Sequence, residues 1–158
     1  MTSRTDTTPR SPFLPPRWFI RAAWFVHRAY LRATRGHRGL WLPTETQWGT
    51  MLLVSTGRRS GRTREAILGY VEDGQNLVTL AMNGWGAPEP AWWLNLQAHP
   101  QATVVLKDRE VPVRARTATG DERTRLWGYW RDHWSDVEGY AVRRPGETAV
   151  VVLEPATA

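Results

Sequence analysis

Met51-Leu52-Leu53-Val54, then Ser55-Thr56-Gly57-Arg58-Arg59-Ser60-Gly61-Arg62-Thr63-Arg64, then Ala66-Ile67-Leu68-Gly69-Tyr70-Val71 follow one another as an apolar run, a basic loop and a second apolar run, with Glu65 between the last two. Short apolar runs bounded by glycine and polar residues read as buried strands. The ten residues between them carry four guanidinium groups, two glycines and four hydroxyls. Arginine forks match phosphate and carboxylate oxygens in pairs, and glycines let a backbone close tightly. A strand that ends in such a loop has the makings of an anion clamp, although a solvated basic hairpin would share the composition. It is not the P-loop, because the glycine spacing differs and no Lys follows. No G-x-G-x-x-G opens a helix either.

Working outward, Asp73-Gly74 signals a hairpin after the second strand, and Asn76 to Met82 supplies a third. Asn83-Gly84-Trp85-Gly86-Ala87-Pro88-Glu89-Pro90 is a second loop, followed by a short helix over Ala91 to Ala98. Strands are expected near Thr103–Lys107 and Glu110–Thr117. In the latter Val111, Val113, Ala115 and Thr117 alternate with Pro112, Arg114 and Arg116, so one face is buried, and Pro112 suggests an edge or a bulge. Thr119-Gly120-Asp121-Glu122 has the form of a capping box, opening a helix to about Trp134. A last strand runs from Thr148 to Leu153. Hairpins dominate, so a doubly wound parallel sheet is disfavoured and a small, mostly antiparallel barrel with helices against its openings fits best.

Upstream, Met1 to Pro16 is Thr-, Ser- and Pro-rich and reads as a disordered tail. Residues 17–49 are a helix and loop, and 50–155 the barrel domain. In the helix over 17–35, Arg17, Arg21, Arg28, Arg32 and Arg35 fall within a sector of roughly 60°. Its apolar face either docks on the domain's own core or lies on an anionic membrane surface, and the two are compatible. No run reaches the ~20 apolar residues of a spanning helix.

The 158 residues suit one domain. The chain has no cysteine, which excludes disulfides and a thiol nucleophile and fits a reducing, cytoplasmic setting, with or without peripheral contact to the inner face of the cell membrane. A net charge of +6 favours anionic partners. Ten tryptophans suit either planar ligands or a membrane interface. His27, His37, His99 and His133 have no metal-ligand spacing, so no metal site is expected. No nucleic-acid motif accompanies the arginines, and nucleic acid is not an expected partner. With no acid, base, nucleophile or metal constellation of its own, an enzyme of this kind borrows its chemistry from a cofactor.

Thr56-Gly57-Arg58-Arg59-Ser60-Gly61-Arg62-Thr63-Arg64 resembles the T-G-R-K/R-S/T-G-x-x-R motif of the deazaflavin (F420)-dependent nitroreductase family, which includes F420H2-dependent quinone reductases. Asn83-Gly84 with Pro90-x-Trp92-x-x-Asn95-Leu96-x-Ala98-x-Pro100 resembles that family's G-G…P-x-W-x-x-N-L-x-A-x-P segment. The Ala118 to Arg123 stretch and the closing Val152-Leu153-Glu154-Pro155 are similar to later landmarks. The resemblance implies a mostly β chain with helices (α+β): a flavin-binding-type split β-barrel of about six mainly antiparallel strands, with the N-terminal amphipathic helix added.

It also implies coenzyme F420, with FMN or FAD as the alternative, and hydride transfer to a hydrophobic conjugated acceptor, a quinone or nitroaromatic. A second reading is an F420, flavin or tetrapyrrole carrier without turnover. Carried over, Thr56, Arg58, Arg59, Ser60, Gly61 and Arg64 belong to the clamp for phosphate and polyglutamate tail. Met82, Asn83, Gly84, Trp85 and Ala87, with Ile67 across the slot and Trp92 in the wall, line the deazaflavin. Tyr140 is the acceptor-side residue. The chain departs from the family's type member at Met82-Asn83-Gly84-Trp85, where that protein has Ser-Lys-Gly-Gly, and at Ile67, where it has Pro. Trp134, Val137 and Tyr140 stand where it has three tyrosines. Split-barrel flavin binders often build their sites between subunits, so a monomer or a homodimer is expected.

Overall fold

The structure, a computed structural model, describes residues 39–83 and 88–156. The tail expected over 1–16, the helix expected over 17–35, and Gly84, Trp85 and Ala87 lie outside the described residues. Alternating burial makes six strands: β1 (Gly49–Thr56), β2 (Thr63–Asp73), β3 (Asn76–Leu80), β4 (Gln101–Val105), β5 (Glu110–Thr117) and β6 (Val150–Pro155). Three helices accompany them: α1 (Ala91–Ala98), α2 (Gly120–His133) and α3 (Val137–Ala141). The strands close into a barrel in the order β1-β2-β3-β6-β5-β4, with every pairing antiparallel. The expected barrel of about six antiparallel strands is therefore present, and closure leaves it no free edge.

Strand periodicity of two sorts the apolar side chains into an inside and an outside. Met51 and Leu53 of β1, Tyr70 of β2, Leu77 of β3, Val104 of β4, Val113 and Ala115 of β5, and Val151 and Leu153 of β6 pack together as one buried cluster. Helix α1 adds Trp92, Trp93 and Leu96 to it, packing against β1, β2 and β5. The opposite faces of β2, β3 and β6 present Val71, Val78, Leu80, Val150 and Val152, which Leu126 and Trp130 of α2 and Val137 of α3 cover. The Leu126–Trp130 spacing is thus core packing, as the helical period implies. Inside the barrel the Tyr70 hydroxyl has no hydrogen-bond partner among the described residues, and burial pushes its pKa up to about 12.

Several local expectations are corrected. β3 ends at Leu80, not Met82, because the Met82 N–H turns back to the Leu80 carbonyl at 2.8 Å and leaves the ladder. Pro112 is neither at an edge nor at a bulge. It pairs opposite Thr103 within the closed sheet, and its carbonyl accepts from the Ala156 N–H at 2.8 Å. Its missing N–H costs only the reciprocal bond where β6 runs out. β4 and β6 are displaced by about two residues from their expected bounds, within the usual uncertainty of strand ends. Helix α3 was not expected; five residues carry too little periodicity to declare it.

The capping box does not form. Thr119 occupies the N-cap position in extended conformation, but its side chain makes no cap hydrogen bond. Glu122 turns instead to Arg116, accepting from Nη1 at 2.6 Å and Nη2 at 2.8 Å, while Arg116 Nε donates to Glu154 at 2.6 Å. A bidentate charged pair outcompetes a reach back to one backbone N–H, and it ties α2 to β5 and β6. The same contact holds the Glu122 carboxyl below its usual range, chiefly by hydrogen bonding to Arg116. A carboxyl lowered in the native state stabilises fully above its ordinary value, and that stability fades as pH falls through the native one. Arg116→Met should therefore lower Tm most above about pH 5 and little below about pH 3. Thermal melts of both proteins across that range check it.

Candidate functional site

The loop joining β1 to β2 closes on itself through its backbone. The Gly57 N–H donates to the Arg62 carbonyl at 2.8 Å, and the Gly61 N–H to the Gly57 carbonyl at 2.8 Å. Gly61 adopts φ +64°, a left-handed conformation that a Cβ disfavours. A Cβ on Gly57 would come within 3.0 Å of Ser60 Oγ and 3.1 Å of the Arg62 carbonyl oxygen. Ser60 Oγ in turn accepts from the Arg62 N–H and from Arg64 Nη2, each at 3.3 Å. Thr56 ends β1 opposite Thr63, at the neck of the loop. The result is a braced loop with Arg58, Arg59, Arg62 and Arg64 exposed on it.

Helix α1 anchors this loop to the barrel. Asn95, 5% exposed, accepts from the Arg58 N–H at 3.1 Å and from Arg58 Nη1 at 3.3 Å through one oxygen, Oδ1. The four loop arginines differ from most of the other arginines among the described residues. Ion pairs engage Arg109, Arg116, Arg123, Arg125, Arg131 and Arg144, and among the described residues no carboxylate pairs with the loop. Uncompensated guanidinium groups on a braced loop fit a ligand that bears several anionic oxygens.

The slot residues divide into separate environments. Ile67 lies on the outer face of β2 in a small cluster with Leu40, Leu52 and Val105. Met82 packs instead against the α2 and α3 cluster, alongside Trp48, Trp127 and Trp134. The structure thus does not bring Ile67 and Met82 into one cluster. Asn83 is exposed just after Met82. Trp92 is 9% exposed and packs inward with Trp93, their ring centroids 6.2 Å apart, so it contributes to any wall by filling the barrel. Tyr140 of α3 stacks on Trp134 with ring centroids 5.0 Å apart and 33° between planes. Through Trp134 it joins the side of the molecule where Met82 packs.

Two residues were not singled out by sequence reasoning. Asn95 stood within the α1 motif, and the available signal was a polar residue among tryptophans and leucines on a short helix. Arg144 gave none, since the Arg143-Arg144 pair looks like solvated surface charge, yet its side chain is 3% exposed. Asn95→Leu removes the acceptor for the Arg58 N–H and guanidinium and should cost about 1–2 kcal/mol of stability. The measurements are a thermal melt and hydrogen exchange at the Arg58 amide, which should accelerate.

Comparison with known proteins bears on the fold and the family. A family model described as F420H(2)-dependent quinone reductase matches residues 24–155. A relative from Mycobacterium tuberculosis, provisionally named an F420H(2)-dependent quinone reductase, is 32% identical over 106 residues, 67% of this chain and 89% of the relative. A solved F420-H2-dependent reductase (FDR-A) superposes with a TM-score of 0.61 at 26% identity, over 66% of this chain and 93% of that one. A structure described as a domain-swapped dimer gives a TM-score of 0.65 at 25% identity, over 89% of this chain and 100% of that one. The split-barrel expectation and the family resemblance are both borne out. With the matched region spanning the whole barrel and its arginine loop, the chain belongs to the F420H(2)-dependent quinone reductase family, oxidoreductases that use coenzyme F420.

Proposed function

We propose that this protein reduces a hydrophobic conjugated acceptor, a quinone in the first place and a nitroaromatic in the second, at the expense of reduced F420. What carries this reading is the braced loop of arginines, without carboxylate partners among the described residues and anchored to α1 through Asn95. F420 bears a phosphate and a polyglutamate tail, and the donor set of the loop fits both. When bound, the reduced deazaflavin supplies the hydride.

The remaining roles fall to this chain. Arg58, Arg59 and Arg64 hold phosphate and tail, with Ser60 keeping Arg64 in place. Gly61 and Thr56 shape the loop and its neck. Met82 and Asn83, together with Gly84, Trp85 and Ala87, form the ring-binding side, and the inward packing of Trp92 stiffens α1 behind it. Tyr140, oriented by Trp134, offers a hydroxyl donor to an acceptor oxygen. Ile67, placed in another cluster, acts through the packing of β2.

Titration with F420, followed by deazaflavin fluorescence with FMN and FAD in parallel, tests the reading. Wild type should bind F420 at micromolar concentration or tighter. Arg58→Ala/Arg64→Ala should weaken it about tenfold to a hundredfold, the equivalent of one or two charge-assisted contacts, while the fold survives. Unchanged affinity in the double variant, or binding of FMN or FAD alone, would overturn the clamp assignment.

The basic amphipathic stretch 17–35 supports a further part of the proposal, that a lipid-soluble quinone is collected at an anionic membrane surface. The full chain should co-sediment with phosphatidylglycerol vesicles, less so at high salt, and a chain lacking residues 1–35 should not. Equal sedimentation of the two would remove this part and leave the reductase reading intact.

A further inference from the structure

Arg144 is buried where four segments of the chain converge. Its own N–H donates to the Ala141 carbonyl at 3.1 Å, which ties it to the end of α3. Nη1 donates to the Ala81 carbonyl, one residue before Met82, and to Thr148 Oγ1 at 3.4 Å, just ahead of β6. Nη2 donates to Glu89 Oε1 at 2.9 Å, two residues before α1. One planar fork thus spans the exit of β3, the approach to α1 and the approach to β6, while the backbone of the same residue is tied to the end of α3.

The arrangement is an unusual way to gain stability. A guanidinium with a side chain 3% exposed pays a large desolvation penalty, and well-packed apolar residues often stabilise as much or more. Two polar atoms at this point, Arg144 Nε and Glu89 Oε2, are buried without a partner among the described residues, which adds to the cost. A donor set this directional instead defines geometry. It sets Ala81, and with it Met82 and Asn83, relative to α1, which holds the arginine loop through Asn95. It sets the same residues relative to α3, which carries Tyr140 and runs into Arg144 through a turn in which the Arg143 N–H donates to the Tyr140 carbonyl at 3.3 Å.

We infer that Arg144 is a positioning residue. With Glu89, it fixes the Met82–Asn83 side of the cofactor site in register with both the arginine loop and Tyr140. This rests on the function proposed above and adds to it a residue outside the recognised motifs. With its side chain 3% exposed, Arg144 acts through Ala81, α1 and α3.

Three variants test it: Arg144→Lys, which keeps the charge but not the fork; Glu89→Gln, which removes the ion pair at a side chain 39% exposed; and the double variant Glu89→Gln/Arg144→Met, which removes both charges. For each, F420 affinity is read by fluorescence, backbone mobility by hydrogen exchange over residues 80–83, and kcat and KM are determined separately with menadione as acceptor. Expected are a thermal melt that stays cooperative, faster exchange at 80–83, and about tenfold weaker F420 binding, equivalent to one lost positioning contact. A raised KM for menadione should accompany these changes in Arg144→Lys, because Tyr140 moves with α3. Cooperative melting with wild-type affinity, exchange and KM in all three would overturn the inference. Absence of F420 binding in the wild type would instead overturn the proposed function, and the exchange data would still report whether Arg144 fixes residues 80–83.

Discussion

Closure of the sheet is the constraint on which the rest of this structure depends. β1 pairs with β2 on one side and β4 on the other, so the hairpin that begins the barrel also ends it. A closed sheet has no edge along which a ligand or strand can add, and its interior here is filled with side chains. Chemistry is therefore left to the loops at the barrel ends and to the outer faces where helices pack. The arginine loop lies at one such end, and the Met82, Trp134 and Tyr140 group lies against the helix-covered face.

Helix α1 joins these two regions, and polar contacts govern its placement. Its interior face, with Trp92, Trp93 and Leu96, is held by burial, which has no directional preference. Direction comes from Asn95 binding Arg58 within the helix and Glu89 binding Arg144 ahead of it. Apolar packing seats the helix, and hydrogen bonds determine its rotation and register. Eight residues would make a poor helix alone, so both contributions are needed.

The excess positive charge is sorted by location. Arg116, Arg123, Arg125 and Arg144 are matched to carboxylates and tie helices to strands. The Arg116 network, in which one guanidinium serves Glu122 and Glu154, is the clearest case of arginine used as mortar. Arg58, Arg59, Arg62 and Arg64 have no such carboxylate partners among the described residues and remain available to an external anion. The net charge of +6 hides this division, because it counts both classes alike.

What the sequence by itself determined was local or repeated. Alternation of apolar residues set the strands, Asp73-Gly74 set a hairpin, and the spaced motifs set the family and the arginine loop, all through properties of residues near one another in the chain. Tertiary structure decided what distant residues do to each other. Glu122 left its expected cap for Arg116, Pro112 found a place where β6 runs out, Ile67 and Met82 went to different clusters, and Asn95 and Arg144 became anchors. Arg58 and Asn95 are 37 positions apart, and Arg144 and Ala81 are 63 apart. No periodicity or propensity spans such distances; only the closed sheet, by fixing where each loop emerges, brings a buried polar group to the partner that compensates its desolvation.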